Sequence, residues 1–277
     1  MTPISDKVIV ITGAAGGFGQ HIARQAAGLG ARIVATDIDE AGAIALAEAL
    51  AADGAAAVGM VGDVTSAASM QAVATAAVSR FGTLDCWVNN AGVMPLAFFS
   101  DHEQALEAWS RCIDINIKGV LHGMIAAYEP MMAAGRGHVV NLSSIYGNFP
   151  VVGAGVYGAS KAAVNFLSES MRVETQGRIK VTTVKPTGVP ATGLAQGIVN
   201  DAAVVGILGQ NAAAYGQLMA GLQTGDTDPA YLDADAIEYA MLAPEQLAEQ
   251  VVYVLNQPWG VSVGDITVRA SGDGFIL

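Results

Sequence analysis

The chain has 277 residues, enough to bury a sizeable core and closer to one large α/β domain than to two small ones. Apolar residues make up 52% and charged residues only 14%, with a formal net charge of -12, so the basic patch that nucleic acid or an anionic membrane surface requires is not expected. The two cysteines, Cys86 and Cys112, form no CxxC pair and have no histidine at metal-ligand spacing, which points to a reducing, cytoplasmic setting and to no bound metal.

From the N-terminus, the apolar run Val8–Ile11 is too short for a signal core and leads straight into glycines; no later stretch approaches the ~20 apolar residues of a membrane span. Val8–Thr12 therefore reads as a strand and Gly17–Leu29 as a helix. Arg32–Thr36 is a second strand and Glu40–Ala51 a second helix. Further strands are expected at Ala56–Val61, Leu84–Asn89, His138–Leu142 and Ile179–Val184, with helices near Ser66–Phe81, Glu103–Ala133 (broken) and Tyr157–Thr175 between them. The strands are apolar on both faces, as parallel strands covered by helices on both sides must be. This βα alternation implies a Rossmann-type, doubly wound parallel sheet in a single α/β domain. After Pro186 the alternation stops. Residues 187–243 are rich in Gly, Ala and Asp and show no clear strand, which reads as a lid inserted after the sixth strand. Pro244 then opens a helix, with Pro at its first position and acids in its first turn, and Val261–Val268 is a last strand.

The segment VIVITGAAGGFGQHIA places a glycine cluster between a strand and a helix. Glycines let the backbone approach a pyrophosphate, and the helix N-terminus offers free N–H groups and the positive end of its dipole. Gly13, Gly17 and Gly19 fit GxxxGxG, whereas Gly13, Gly16 and Gly19 fit GxxGxxG, and the cluster alone does not choose; Phe18 lies within either pattern. Asp37 closes the second strand in VATDID, followed by Ile38. A carboxylate there can accept hydrogen bonds from both adenosine ribose hydroxyls and would repel a 2′-phosphate, so NAD is the expected cofactor.

TGAAGGFG at 12–19, Asp63-Val64 after the third strand, NNAG at 89–92, Asn116, Ser144 in NLSSIYG and Tyr157-Gly-Ala-Ser-Lys161 follow one another in an order that resembles the short-chain dehydrogenase/reductase family over essentially the whole chain. NNAG, and the lack of a separate substrate domain, favour the shorter dehydrogenase branch. The resemblance implies a catalytic set of Asn116, Ser144, Tyr157 and Lys161. Tyr157 and Lys161 are i and i+4 on one helix and share a face. The ammonium and the oxidised nicotinamide would lower the phenol's pKa, so that Tyr157 exchanges a proton with the substrate oxygen. Ser144, 13 residues before Tyr157, is chosen over Ser143 to orient that oxygen. Lys161 would also hold the nicotinamide ribose, and Asn116 would position a water beside it. Asp63 and Val64 would line the adenine pocket, and Asn90, Ala91 and Gly92 the backbone near the ribose. The family's Pro-Gly pair after the sixth strand reads here Pro186-Thr187-Gly188-Val189, followed by Thr192 one residue out of place. Pro186, Gly188 and Val189 remain expected at the nicotinamide, while Thr192 has no assigned role.

The substrate pocket is expected from three segments: Val93, Met94, Leu96 and Phe98; Ile145, Tyr146 and Phe149; and Leu194, Ile198, Tyr215 and Met219. Between Pro186 and Val268 there is no Lys, Arg or His, so the lid offers no cation for a carboxylate, phosphate or coenzyme A tail, and its own acids would repel one. Lys118, Arg111 and His102 remain candidates for the cleft rim. The expected reaction interconverts a neutral, largely hydrophobic secondary alcohol and its ketone. An epimerase or dehydratase using the same Tyr-Lys pair, and a silent NAD-binding regulator, are the alternatives. Ala-rich helices near 117–134 and 157–175 suggest a homo-oligomer, by resemblance a tetramer.

Overall fold

A computed structural model describes residues 3–189 and 192–275; Pro190 and Ala191, inside the expected lid, lie outside the described residues. Seven parallel strands form one sheet: β1 (Val8–Thr12), β2 (Arg32–Asp37), β3 (Ala57–Val61), β4 (Cys86–Asn89), β5 (Gly137–Leu142), β6 (Ile179–Pro186) and β7 (Asp265–Val268), in the order β3-β2-β1-β4-β5-β6-β7. The chain winds outward from β1 in one direction and from β4 in the other. A crevice therefore opens at the carboxyl ends of β1 and β4, where ligands of such sheets bind.

The period-2 alternation of the strands divides the core into two layers. Ile9, Ile11, Ile33, Ala35, Val88 and Val140 face one side, against Ile22, Ala23 and Ala26 of α1 (Gly17–Gly28) and Leu247, Val251 and Leu255 of α9 (Pro244–Leu255). Val8, Val10, Val34, Trp87 and Val139 face the other, against α3 (Ala67–Phe81), α5 (Val120–Ala133) and α6 (Gly155–Glu174). Both strand faces are buried, as their unbroken apolar runs require. α2 (Glu40–Ala52) covers β2 and β3; it begins at Asp39, whose side chain accepts from Gly42 N–H.

Three elements differ from the sequence reading. The stretch expected to be a broken helix is continuous: α4 (His102–Ile113) passes into α5 through a widened, π-helical turn at Asp114–Gly119. The last strand starts at Asp265, not Val261; before it the carbonyls of Val261 and Val263 accept from the side chains of Lys180 and Thr182 of β6. Residues 192–243 contain helices α7 (Ala202–Leu208) and α8 (Ala212–Thr224) with short 3-10 turns. This segment docks on the loop after β4, where Leu96 C=O accepts from Val199 and Asn200 N–H. Among the described residues no helix is long and apolar enough to cross a membrane.

Candidate active site

The glycine turn after β1 resolves the spacing ambiguity. Gly13 and Gly17 have φ of +65° and +49°, and a Cβ on Gly19 would stand 2.2 Å from Gly13 C=O. Gly16 is extended and has open space around it, so the required glycines are 13, 17 and 19, in the GxxxGxG pattern. Gly16 occupies the N-cap of α1 and carries no side chain to satisfy the first-turn N–H groups. The turn is stitched to β4 by Asn90, whose Nδ2 donates to Thr12 C=O at 2.8 Å and Gly13 C=O at 3.0 Å.

Asp37 is held rigidly at the end of β2. Oδ2 accepts from Ala15 N–H at 2.9 Å and Oδ1 from Asp39 N–H at 3.0 Å. Gly13, Asp37, Ile38, Asp63, Val64, Ala91 and Gly92 line one cavity, together with Arg111 of α4, which the sequence reading placed only at the cleft rim. Lys118 is engaged instead with Asp114, one turn before it.

On the far side of Gly92 lies a second cavity of about 310 Å³. Its floor is formed by Ser144, Tyr157 and Lys161, brought together from the end of β5 and the first two turns of α6. Tyr157 and Lys161 are buried, 4% and 6% exposed, and Lys161 Nζ lies 5.8 Å from the Tyr157 ring centroid and donates to Leu142 C=O at 2.8 Å. Burial raises the Tyr157 phenol to about 12; the Ser144 hydroxyl, hydrogen-bonded to it, pulls in the opposite direction. Burial lowers Lys161 to about 8. In the chain alone, then, desolvation outweighs the expected lowering of the phenol, which stays protonated at neutral pH.

Asn116 sits in the π-helical turn, fully buried. Its amide clasps one residue: Oδ1 accepts from Val93 N–H and Nδ2 donates to Val93 C=O, both at 2.9 Å. The side chain thus fixes the loop after NNAG beside Gly92, whose missing Cβ would come 3.3 Å from Asn116 Oδ1 and 3.6 Å from Lys161 Nζ.

Of the substrate residues expected from sequence, Met94, Leu96, Ser144, Tyr146, Tyr157, Leu194, Ile198, Tyr215 and Met219 line this cavity. Ile145, Phe149, Val93 and Phe98 belong to the apolar cluster around it and do not line it; Phe149 packs edge-on against Tyr146, 6.4 Å between centroids. Phe18, Asn90, Pro186, Gly188, Val189 and Thr192 also border the cavity, Thr192 beside Gly17. Lys161 is the one charged side chain among the described lining residues. No described lid acid reaches the cavity, so their expected repulsion of an anion has no short-range basis. Phe275, Val204 and Ile207 line it as well and were not foreseen. Val204 and Ile207 sit in an Ala- and Gly-rich stretch without a strong helical signal, and Phe275 lies beyond the last strand.

The family model for short chain dehydrogenases matches residues 7–203. An uncharacterized oxidoreductase of Staphylococcus aureus is 31% identical over 269 residues, 97% of this chain and 99% of that protein. The glycine betaine reductase of Emericella nidulans is 32% identical over 268 residues, but this chain spans only 19% of its length. A short-chain dehydrogenase/reductase from Burkholderia phymatum, solved in complex with NAD, is similar with a TM-score of 0.75 and 28% identity over 96% of this chain and 90% of that one. An alcohol dehydrogenase from Thermococcus sibiricus, complexed with 5-hydroxy-NADP, shares the fold at 22% identity, TM-score 0.77, over 97% of this chain and 98% of that one. With the sheet order, the glycine turn and the matched segment in agreement, this chain is a member of the short-chain dehydrogenase/reductase family and an oxidoreductase.

Proposed function

We propose that the protein is an NAD(H)-dependent oxidoreductase that interconverts a neutral, largely hydrophobic secondary alcohol and its ketone, acting as a homotetramer in the reducing cytoplasm. The observation that carries this reading is the convergence of Ser144, Tyr157 and Lys161 on an apolar cavity adjoining the cavity that Asp37 lines. The residues present fit a nicotinamide dinucleotide. The glycine turn leaves no room for side chains at Gly13 and Gly19, the N-terminus of α1 is free to meet an anion, and the Asp37 carboxylate is fixed where ribose hydroxyls can donate to it. Gly13, Gly16, Gly17, Phe18, Gly19, Asp37, Ile38, Asp63, Val64, Asn90, Ala91, Gly92, Tyr157, Lys161, Pro186, Gly188 and Val189 would hold it.

The cofactor, when bound, supplies the redox half of the reaction by accepting or donating the electron pair. The chain's own residues manage the proton and the geometry. Ser144 hydrogen-bonds the substrate oxygen and aims it at Tyr157. Tyr157, protonated at neutral pH, donates its proton to the oxygen of a ketone; in the reverse direction its phenolate takes the proton of an alcohol. The Lys161 ammonium stabilises that phenolate from the same helix face. Asn116 positions the Val93 loop that separates the two cavities. Met94, Leu96, Leu194 and Ile198 exclude water, and burial at ~25 cal/mol per Å² supplies affinity for an apolar substrate. Among the described lining residues no cation besides Lys161 faces the substrate, which disfavours anions.

The test is a panel of cyclic and aryl alcohols and ketones, hydroxy acids and a hydroxyacyl coenzyme A, with NAD or NADH, read at the absorbance of the reduced nicotinamide. Higher kcat/KM for the neutral compounds supports the proposal; a clear preference for either anion overturns it.

A further inference from the structure

The stretch after β7 has no counterpart in the catalytic motifs, yet it enters the site. Arg269 forms an ion pair with Asp273, whose side chain is fully buried. The other oxygen of that carboxylate accepts a 2.6 Å hydrogen bond from the hydroxyl of Thr187. Thr187 is the residue that stands where the family pattern has glycine, directly after β6; its backbone N–H donates to Val268 C=O. A glycine there would leave the buried carboxylate with one partner fewer, so the departure from the pattern has a physical use. The tail is tied to the lid as well: Asn211 Nδ2 donates to Gly274 C=O at 2.9 Å, and Ser271 Oγ donates to Ile237 C=O at 2.6 Å.

These contacts deliver one side chain. The Phe275 ring lies over Gly188, so close that a Cβ there would be 1.8 Å from its Cε2, and it meets Tyr215 of α8 edge-on at 5.7 Å between centroids. Phe275 thereby forms part of the cavity wall that contains Tyr157. An aromatic ring held by a buried carboxylate on one side and by the lid on the other is a fixed boundary and not a loose end.

We propose that Phe275 is a specificity-determining residue, and that Thr187, Arg269 and Asp273 are positioning residues that lock its tail to the end of β6, so that the ring limits the size of the substituent the substrate can carry. The size limit rests on the ketone-reductase reading above; the lock does not.

Two measurements separate these. In the first, kcat/KM is compared for acetophenone and butyrophenone with NADH, in the wild type, Phe275→Ala and Phe275→Leu. Removing the ring should raise the butyrophenone-to-acetophenone ratio by at least about 10-fold in Phe275→Ala, with a smaller rise in Phe275→Leu, since a methylene or two in an apolar pocket is worth about 10- to 200-fold. An unchanged ratio in a folded variant overturns the specificity role. In the second, amide hydrogen exchange is compared between the wild type and Asp273→Asn. Exchange should quicken over 212–224 and 269–275 and remain unchanged over β1, β4 and β5. If exchange in the lid and tail is the same in both proteins, the lock is refuted. Should the wild type reduce neither ketone, the reaction assigned above fails, and the exchange experiment still decides on the lock.

Discussion

Ser143 and Ser144 are neighbours whose hydroxyls serve opposite sides of one strand end. Ser143 Oγ donates to Asn165 Oδ1 at 2.6 Å and rests 3.1 Å from Lys161 C=O, whereas Ser144 is hydrogen-bonded to Tyr157 at the cavity floor. Ser144→Ala is therefore expected to lower kcat by ~10²-fold or more while leaving thermal stability nearly intact. Ser143→Ala should do the reverse, costing about 1 kcal/mol of stability through the loss of a buried hydrogen bond, with a small effect on turnover. Steady-state kinetics and thermal unfolding of the two variants check this, and equal kinetic damage in both would contradict it.

Two buried tyrosines line the cavity, and they should behave differently. Tyr146 spends its hydroxyl on Ile207 C=O at 3.2 Å, which joins the loop after β5 to α7. Tyr157→Phe should cut turnover by ~10²- to 10⁴-fold with NADH binding unchanged, because only the proton-transferring oxygen is lost. Tyr146→Phe should keep most of the turnover. NADH fluorescence titration alongside initial rates distinguishes a lost chemical step from a lost cofactor site.

The pH profile follows from the two burial effects. Lys161, lowered to about 8, is a cation below that pH and neutral above it; Tyr157, raised to about 12, keeps its proton throughout the neutral range. Ketone reduction needs the protonated phenol and gains from the nearby cation, so its kcat/KM should be level below about pH 8 and fall above it. Alcohol oxidation needs the phenolate and should speed up as pH rises. Profiles of both directions from pH 6 to 10 would test this, and a reductive rate that climbs with pH would refute the assignment.

Cofactor preference should be set by Asp37. Its fixed carboxylate would face a 2′-phosphate, at a cost on the order of 1–4 kcal/mol. Catalytic efficiency with NAD(H) is expected to exceed that with NADP(H) by roughly 10- to 10³-fold. Efficiency with NADP(H) equal to or above that with NAD(H) would reverse the proposal, with Arg111 in the same cavity then the first residue to replace.

Assembly can be tested through exposed apolar side chains. Ile125 on α5 and Phe166 on α6 are 56% and 76% exposed in the single chain, with Leu121, Tyr128 and Val173 on the same two helices also exposed. A homotetramer that buries these faces should appear in light scattering at micromolar concentration, and Phe166→Asp should reduce it to smaller species. A wild-type particle of 28.2 kDa alone would exclude it.

Much of this architecture is legible in the sequence because its signals are local. β1 to β6 and helices α1, α2 and α9 announce themselves by apolar runs and by period, and α9 also by Pro244 at its first position. The glycine spacing became decidable only from backbone geometry, since Gly16 and Gly17 look alike in sequence and only Gly17 has a positive φ. The π-helical turn around Asn116 was not legible, since the partner of that side chain, Val93, lies 23 residues earlier in the chain. The pocket residues Val204, Ile207 and Phe275 were illegible for a related reason. Their neighbours lie far off in the chain, and the Ala- and Gly-rich lid carries little periodic pattern of its own. Thr187 stood out as a departure from the motif, but its partner Asp273 is 86 residues away.

The way Asp37 is held bears on any attempt to re-engineer nucleotide preference. Its carboxylate is also the hydrogen-bond acceptor that fastens Ala15 in the phosphate turn and Asp39 at the start of α2. A single exchange of Asp37 for a small neutral residue, made to admit a phosphorylated ribose, would therefore free two backbone donors and loosen the glycine turn itself. Affinity for every dinucleotide would drop together. Asn would keep an acceptor for only one of these two donors, so a successful redesign would retain Asp37 and recruit the new positive charge from another wall of the cavity, where Arg111 already stands.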